Sequence, residues 1–127
     1  MKILLDTTVI VDALRVRRNR HELLAQLIRQ GHRLHTTALN AAEVYAGMRP
    51  NEEKGTEAFL DGLQCFVADR EAARMGGRLK KQWADQGRTL TLIDCIVAAV
   101  AIQNECALAT DNRKDFPMPE VQLYPMP

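Results

Sequence analysis

Short apolar runs alternate along the chain with longer stretches whose apolar positions recur every three or four residues. Ile3, Leu4 and Leu5 make the first such run, which stops at Asp6. Its length and lack of polar alternation predict a strand buried on both faces. A helix is predicted over 9–14. Over 21–30, Leu23, Leu24, Leu27 and Ile28 share one helical face and Gly31 supplies the stop. Residues 33–36 predict a weak strand. Thr37 is suited to cap a helix reaching about Met48, with Pro50 marking its end. Another helix is predicted over 51–63 and a strand over 64–67. Asp69 can cap the next helix, where Ala72, Met75, Leu79 and Trp83 keep helical spacing and Gly76 and Gly77 weaken it. Gly87 breaks the chain, and Thr91 opens an apolar helix to about Asn104. Strands are predicted over 107–110 and 121–124, the latter inside a proline-rich tail.

Strands alternating with helices predict a parallel sheet flanked by helices. In such sheets ligands gather at the carboxyl ends of the strands. Asp6 follows the first strand directly, and Asp111 and Asn112 follow the strand over 107–110, so both can lie on one rim. The length, 127 residues, predicts a single domain spanning 1–127 with no internal repeat or linker.

Composition narrows the class. Hydrophobic residues make up 46% and charged residues 26%, which excludes a disordered chain. The longest apolar run, 96–102, is far short of the ~20 residues a membrane-spanning helix needs. Three widely spaced cysteines (Cys65, Cys95, Cys106), no CxxC pair and no leader pattern predict free thiols in a reducing cytoplasm. A net charge of +1 argues against a nucleic-acid binder held by total charge. The local balance is uneven. Between Ala13 and Arg33 there are six Arg and one acid, whereas from Asn40 to Asp61 there are five acids and two bases. Solvated helix faces account for any one such run. Taken together, the runs suit a basic rim beside an acidic pocket, an arrangement that fits a polyanion.

Four acids interrupt apolar sequence: Asp6, Glu43 among small residues, Asp94 in Leu92-Ile93-Asp94-Cys95-Ile96, and Asp111 or Asp115 around Asn112. Each has a plain structural role open to it. Asp6 can cap or turn, Glu43 can face solvent, Asp94 fits a capping box with Thr91, and Asp111 and Asp115 suit turns. As a set on one rim they would repel one another, and a divalent cation would remove that cost. Oxygen-only ligands point to Mg²⁺ or Mn²⁺ rather than zinc. His21, His32 and His35 have no Ser or Cys partner in a hydrolase motif, and no phosphate-binding glycine loop is present.

These residues, in this order, resemble a PIN-domain ribonuclease of the VapC type, the toxin half of a toxin–antitoxin pair. The likeness rests on Leu4-Leu5-Asp6-Thr7-Thr8-Val9-Ile10-Val11-Asp12, Glu43 in a helix, Leu92-Ile93-Asp94-Cys95, and Ala109-Thr110-Asp111-Asn112-Arg113-Lys114-Asp115-Phe116. It covers essentially the whole chain. The resemblance implies a three-layer α/β/α Rossmann-like fold with a short, mainly parallel sheet. It also implies a Mg²⁺- or Mn²⁺-dependent endoribonuclease. Asp6 and Asp94 match the family's main metal-binding aspartates, and Glu43 matches its glutamate, which holds metal or orients water. The fourth position, counted from Thr110, falls on Asn112, with Asp111 one place early and Asp115 a second candidate. Thr8 stands where the family often has Asn or Ser and offers a hydroxyl to a ligand. RNA would be gripped by Arg15, Arg17 and Arg18, with Arg78, Lys80 and Lys81 as further candidates. A cognate antitoxin and a homodimer, assembled with antitoxin into a larger complex, are implied as partners. Three alternatives stay open: a phosphoacceptor receiver domain, a non-catalytic PIN-like binding protein, and an RNA-processing nuclease that is not a toxin.

Overall fold

The computed structural model describes residues 1–127. Four strands form one all-parallel sheet in the order β3-β2-β1-β4. They are β1 (Lys2–Leu5), β2 (Arg33–Thr37), β3 (Gln64–Phe66) and β4 (Ala107–Ala109). The six helices are α1 (Thr7–Leu14), α2 (Arg20–Arg29), α3 (Ala38–Ala46), α4 (Glu53–Asp61), α5 (Arg70–Asp85) and α6 (Leu92–Gln103).

Strand β1 has neighbours on both edges and helices on both faces, and Ile3, Leu4 and Leu5 are each 0% exposed. That double burial is why the run is apolar without alternation. Its alternate residues feed two cores. Ile3 and Leu5 join Leu34, Ala109 and side chains of α1 to α4 on one face. Leu4 and Leu108 join α5, α6 and Phe116 on the other. The result is the three-layer arrangement expected from the resemblance.

The chain runs outward from β1 to β2 to β3, then crosses back through α5 and α6 to place β4 on the other side of β1. The strand order therefore reverses at β1 and β4, and a crevice opens beyond their carboxyl ends. Asp6 and Thr110 stand there.

Side-chain caps set several helix starts. Thr37, Asp69 and Thr91 accept the backbone N–H of Asn40, Ala72 and Asp94 at the starts of α3, α5 and α6. Gly31 and Gly87, with φ of 88° and 82°, turn the chain just past α2 and α5 in the left-handed region.

Two expected elements differ. The helix expected over 51–63 is a 3₁₀ turn at Pro50–Glu52 followed by α4; Glu52 is drawn back to the Arg49 N–H at 2.8 Å and to Arg15 at 2.9 Å at that junction. The strand expected over 121–124 is reduced to a single parallel bridge, Leu108 to Leu123. Leu108 donates to the Gln122 carbonyl at 2.8 Å and accepts from the Tyr124 N–H at 2.8 Å. Pro119 and Pro125 bound that bridge, and a proline cannot donate to a ladder.

Helices α5 and α6 pack closely, and Gly76 lies at their contact. A Cβ on Gly76 would sit 2.8 Å from Ile96 Cγ1 and 2.9 Å from Ile96 Cα. Gly77, by contrast, has nothing within 4 Å. The pair that weakens α5 by propensity thus includes one glycine required by packing.

Candidate active site

Asp6 is the best-fixed acid. It caps α1 and is 6% exposed. Its Oδ1 accepts from the Thr7 N–H at 2.9 Å and from Asn40 Nδ2 at 3.2 Å. Its Oδ2 accepts from the Thr110 hydroxyl at 2.7 Å. Burial pushes its carboxyl up from the ordinary range; the hydrogen bonds from Thr110, Thr7 and Asn40 oppose that, and the charge of Glu43 adds to it.

Glu43 projects from the exposed side of α3 and accepts from the Thr7 hydroxyl at 2.6 Å. Asp94 lies at the third position of α6, half-buried, with its N–H on Thr91 Oγ1 at 3.1 Å. Partial burial raises its carboxyl, the Thr91 hydrogen bond lowers it, and the negative charges of Asp6, Asp115 and Glu43 raise it further. Asp94 therefore feels three other acids brought by three other segments: the end of β1, α3, and the 3₁₀ turn Arg113–Asp115 after β4. Thr91 caps α6 on the Asp94 N–H, and the carboxylate of Asp94 joins the acidic set.

The segment after β4 divides its polar residues. Asp115 belongs to the acidic set through its field on Asp94. Asn112 is exposed, and its backbone N–H donates to Thr110 Oγ1 at 3.0 Å. Asp111 is turned away: Arg20, 3% exposed, grips it with Nη2 on Oδ1 at 2.7 Å and Nε on Oδ2 at 3.3 Å. Arg18 adds a contact at 3.2 Å.

The threonine expected to reach the site, Thr8, is exposed, and Thr7 holds the inward place. Helix α1 begins at Thr7, and that phase decides which hydroxyl faces Glu43. Of the expected basic grip, Arg15 is bound to Glu52 at 2.9 Å and to the Gly47 carbonyl at 3.2 Å. Lys80 donates to the Leu90 carbonyl at 2.6 Å. Both brace the fold. Arg17, Arg78 and Lys81 stay exposed. Asn40 and Thr110 were not singled out in the sequence. The only sign of Asn40 is its place three residues after a capping threonine.

No three His, Cys, Asp or Glu side chains converge closely enough to make a ready-made coordination cage. The donors nevertheless fit a hard divalent cation. All are oxygens, Asp6 is held in one orientation, and the carboxyls of Asp6 and Asp94 are raised by burial and further by neighbouring acids, a cost that a cation offsets.

An open parallel sheet with acids gathered at the reversal of its strand order is the framework of an α/β enzyme. A PIN domain model matches residues 3–118. The chain is 36% identical over 120 residues to ribonuclease VapC19 of Mycobacterium tuberculosis, covering 94% of this chain and 96% of that one. It superposes on VapBC2 from Rickettsia felis, bound to a DNA fragment from its promoter, with a TM-score of 0.85 at 21% identity over 98% of each chain. VapBC-1 from Haemophilus influenzae gives a TM-score of 0.81 at 20% identity, over 98% of this chain and 97% of that one. The chain belongs to the PIN-domain family, among the VapC ribonucleases. The receiver-domain alternative falls with that match.

Proposed function

We propose that this chain is the endoribonuclease toxin of a toxin–antitoxin pair, hydrolysing RNA phosphodiesters at the rim formed by Asp6, Glu43, Asp94 and Asp115. One observation carries the assignment of the site: hydrogen bonds through Asn40 and Thr7 join Asp6 at the end of β1 to Glu43 on α3, and the Asp94 carboxyl, raised first by burial, is raised further by the charges of Asp6, Asp115 and Glu43, so acids from four segments share one field. Asp6, Asp94 and Glu43 would hold the metal, Mg²⁺ or Mn²⁺, with Asp115 or Asn112 as the fourth group. When bound, such a cation lowers the pKa of a water and offsets charge on the phosphate. Thr7 orients Glu43, whose other carboxylate oxygen is left to accept a proton from water. Arg17, Arg78 and Lys81, exposed and in none of the ion pairs of the structure, would take RNA phosphates.

A protein antitoxin is supported by the surface as well as by kinship. An open trough of about 590 Å³ between α2 and α4 is lined mainly by apolar side chains, among them Leu24, Ile28, Phe59 and Leu63. Ile28 there is 59% exposed. A helical segment of an antitoxin has the shape and chemistry to fill it.

The test is cleavage of structured RNAs by the chain freed of partners, with Mg²⁺, with Mn²⁺ and with EDTA, beside an Asp94→Asn variant prepared identically. Metal-dependent cutting that the variant lacks is the expected result. A variant that cuts as well as the parent would overturn the site assignment. A folded parent that cuts nothing with either metal would point to a PIN fold kept for binding.

A further inference from the structure

Asn40 is 0% exposed, yet both of its amide hydrogens and its amide oxygen are hydrogen-bonded at the edge of the acidic rim. Its Oδ1 accepts from the Thr37 hydroxyl at 2.6 Å. Its Nδ2 donates to Asp6 Oδ1 at 3.2 Å and to Thr7 Oγ1 at 2.9 Å. Thr37 Oγ1 in turn accepts the Asn40 backbone N–H at 3.1 Å.

These bonds have one consistent direction. A carboxylate can only accept, so the atom facing Asp6 must be the NH₂ group, and the amide oxygen must face Thr37. Thr7 Oγ1 accepts a hydrogen bond from Asn40 and, because a carboxylate cannot donate, gives its own hydrogen to the bond with Glu43 Oε1, at 2.6 Å. The line Thr37, Asn40, Thr7, Glu43 thus runs as a one-way series of donors, with a branch to Asp6.

The consequence lies in the oxygens left over. Asp6 Oδ1 has both lone pairs taken, by Thr7 N–H and Asn40. Oδ2 has one taken, by Thr110. A single acceptor position remains on Asp6, and it is on Oδ2. Without Asn40, a second would open on Oδ1 and the Thr7 hydroxyl would lose its donor.

We infer that Asn40 is a positioning residue for the divalent cation: it confines Asp6 to one-oxygen coordination through Oδ2 and, through Thr7, aims Glu43. Groups that fix metal-binding carboxylates in this way commonly hold about 10- to 100-fold in metal affinity. The inference rests on the metal reading proposed above.

The experiment measures Mn²⁺ binding by titration calorimetry without RNA, on the parent, Asn40→Ala, Thr37→Val and Thr37→Ser, with folding checked by circular dichroism. RNA cleavage at saturating Mn²⁺ gives the KM for RNA alongside. Asn40→Ala is expected to lose about 10-fold or more in Mn²⁺ affinity, with KM for RNA unchanged. Thr37→Val removes the only partner of Asn40 Oδ1, so the amide is no longer tied to the start of α3 and Mn²⁺ binding is expected to weaken as well, whereas Thr37→Ser keeps the hydroxyl and binds as the parent does. A folded Asn40→Ala that binds Mn²⁺ within twofold of the parent overturns the inference. Should Asn40→Ala fail to fold, Thr37→Val, which leaves Asn40 in place, decides on the same twofold criterion. A parent that binds no Mn²⁺ overturns the metal reading itself, and this inference with it.

Discussion

Replacing Gly76 by alanine separates two effects that sequence alone merges. Any Gly→Ala change inside a helix gains about 1 kcal/mol of helix propensity. Gly77 shows that gain undisturbed, since nothing lies within 4 Å of where its Cβ would be. At Gly76 the same methyl meets Ile96 Cγ1 at 2.8 Å, Ile96 Cα at 2.9 Å and Ile96 N at 3.0 Å. Two of those atoms are backbone, so no rotamer of Ile96 clears them and α6 itself must move. Overpacking of this kind costs about 1–3 kcal/mol, which cancels or exceeds the propensity gain. For a domain of this size each kcal/mol corresponds to about 3–5 °C in Tm. Gly77→Ala is therefore expected to melt about 3–5 °C above the parent. Gly76→Ala should melt about 3–15 °C below Gly77→Ala. Thermal and urea unfolding followed by circular dichroism reads both. Ile96→Ala removes Cγ1 but not Cα or N, so it should not rescue Gly76→Ala. Gly76→Ala as stable as Gly77→Ala would refute the reasoning, and so would full rescue by Ile96→Ala. A functional loss should follow the stability loss, because Asp94 lies two residues before Ile96 on the helix that must shift.

Two further outcomes are expected. Arg20→Ala leaves Asp111, only 9% exposed, without its main partner, and breaking a buried pair costs about 3–5 kcal/mol; Arg20→Leu with Asp111→Leu should lose much less in the same urea titration. His35 is 2% exposed, stacked on Phe66 at 4.8 Å, with no partner for either ring nitrogen, and burial, aided by Lys2 and Arg33, lowers its pKa. The folded chain therefore takes up this proton at lower pH than the unfolded chain, which binds it below about pH 6.5, so stability should fall as pH drops through that value; His35→Phe should remove that part of the slope in Tm against pH.

Much of this was legible where one residue type does one local job. The unbroken run at Ile3 to Leu5 announced a strand buried on both faces, and Asp6 had to appear at its end. Thr37, Asp69 and Thr91 cap the helices their positions suggested. What stayed hidden depends on distance or phase. Arg20 and Asp111 are 91 residues apart, so nothing local marks Asp111 as taken. Thr7 and Thr8 are chemically alike, and only the first residue of α1 decides between them. Asn40 reads as a polar residue near a cap until β1 is laid beside β2. The tail over 121–124 has apolar content enough for a strand, but its flanking prolines stop the ladder at one bridge.

That single bridge also settles how the sheet meets other chains. Strand β4 would otherwise be a free border, and the tail occupies its outward N–H and C=O at Leu108. The remaining border is β3, three residues long, with Gln64 and Cys65 exposed. Strands lie about 4.8 Å apart, and β3 stands two places from β1. A chain that extends the sheet by pairing must therefore add at β3, some 10 Å or more to the side of Asp6. Such growth would leave the crevice open, whereas an inhibitor that closes it must come across the strand ends.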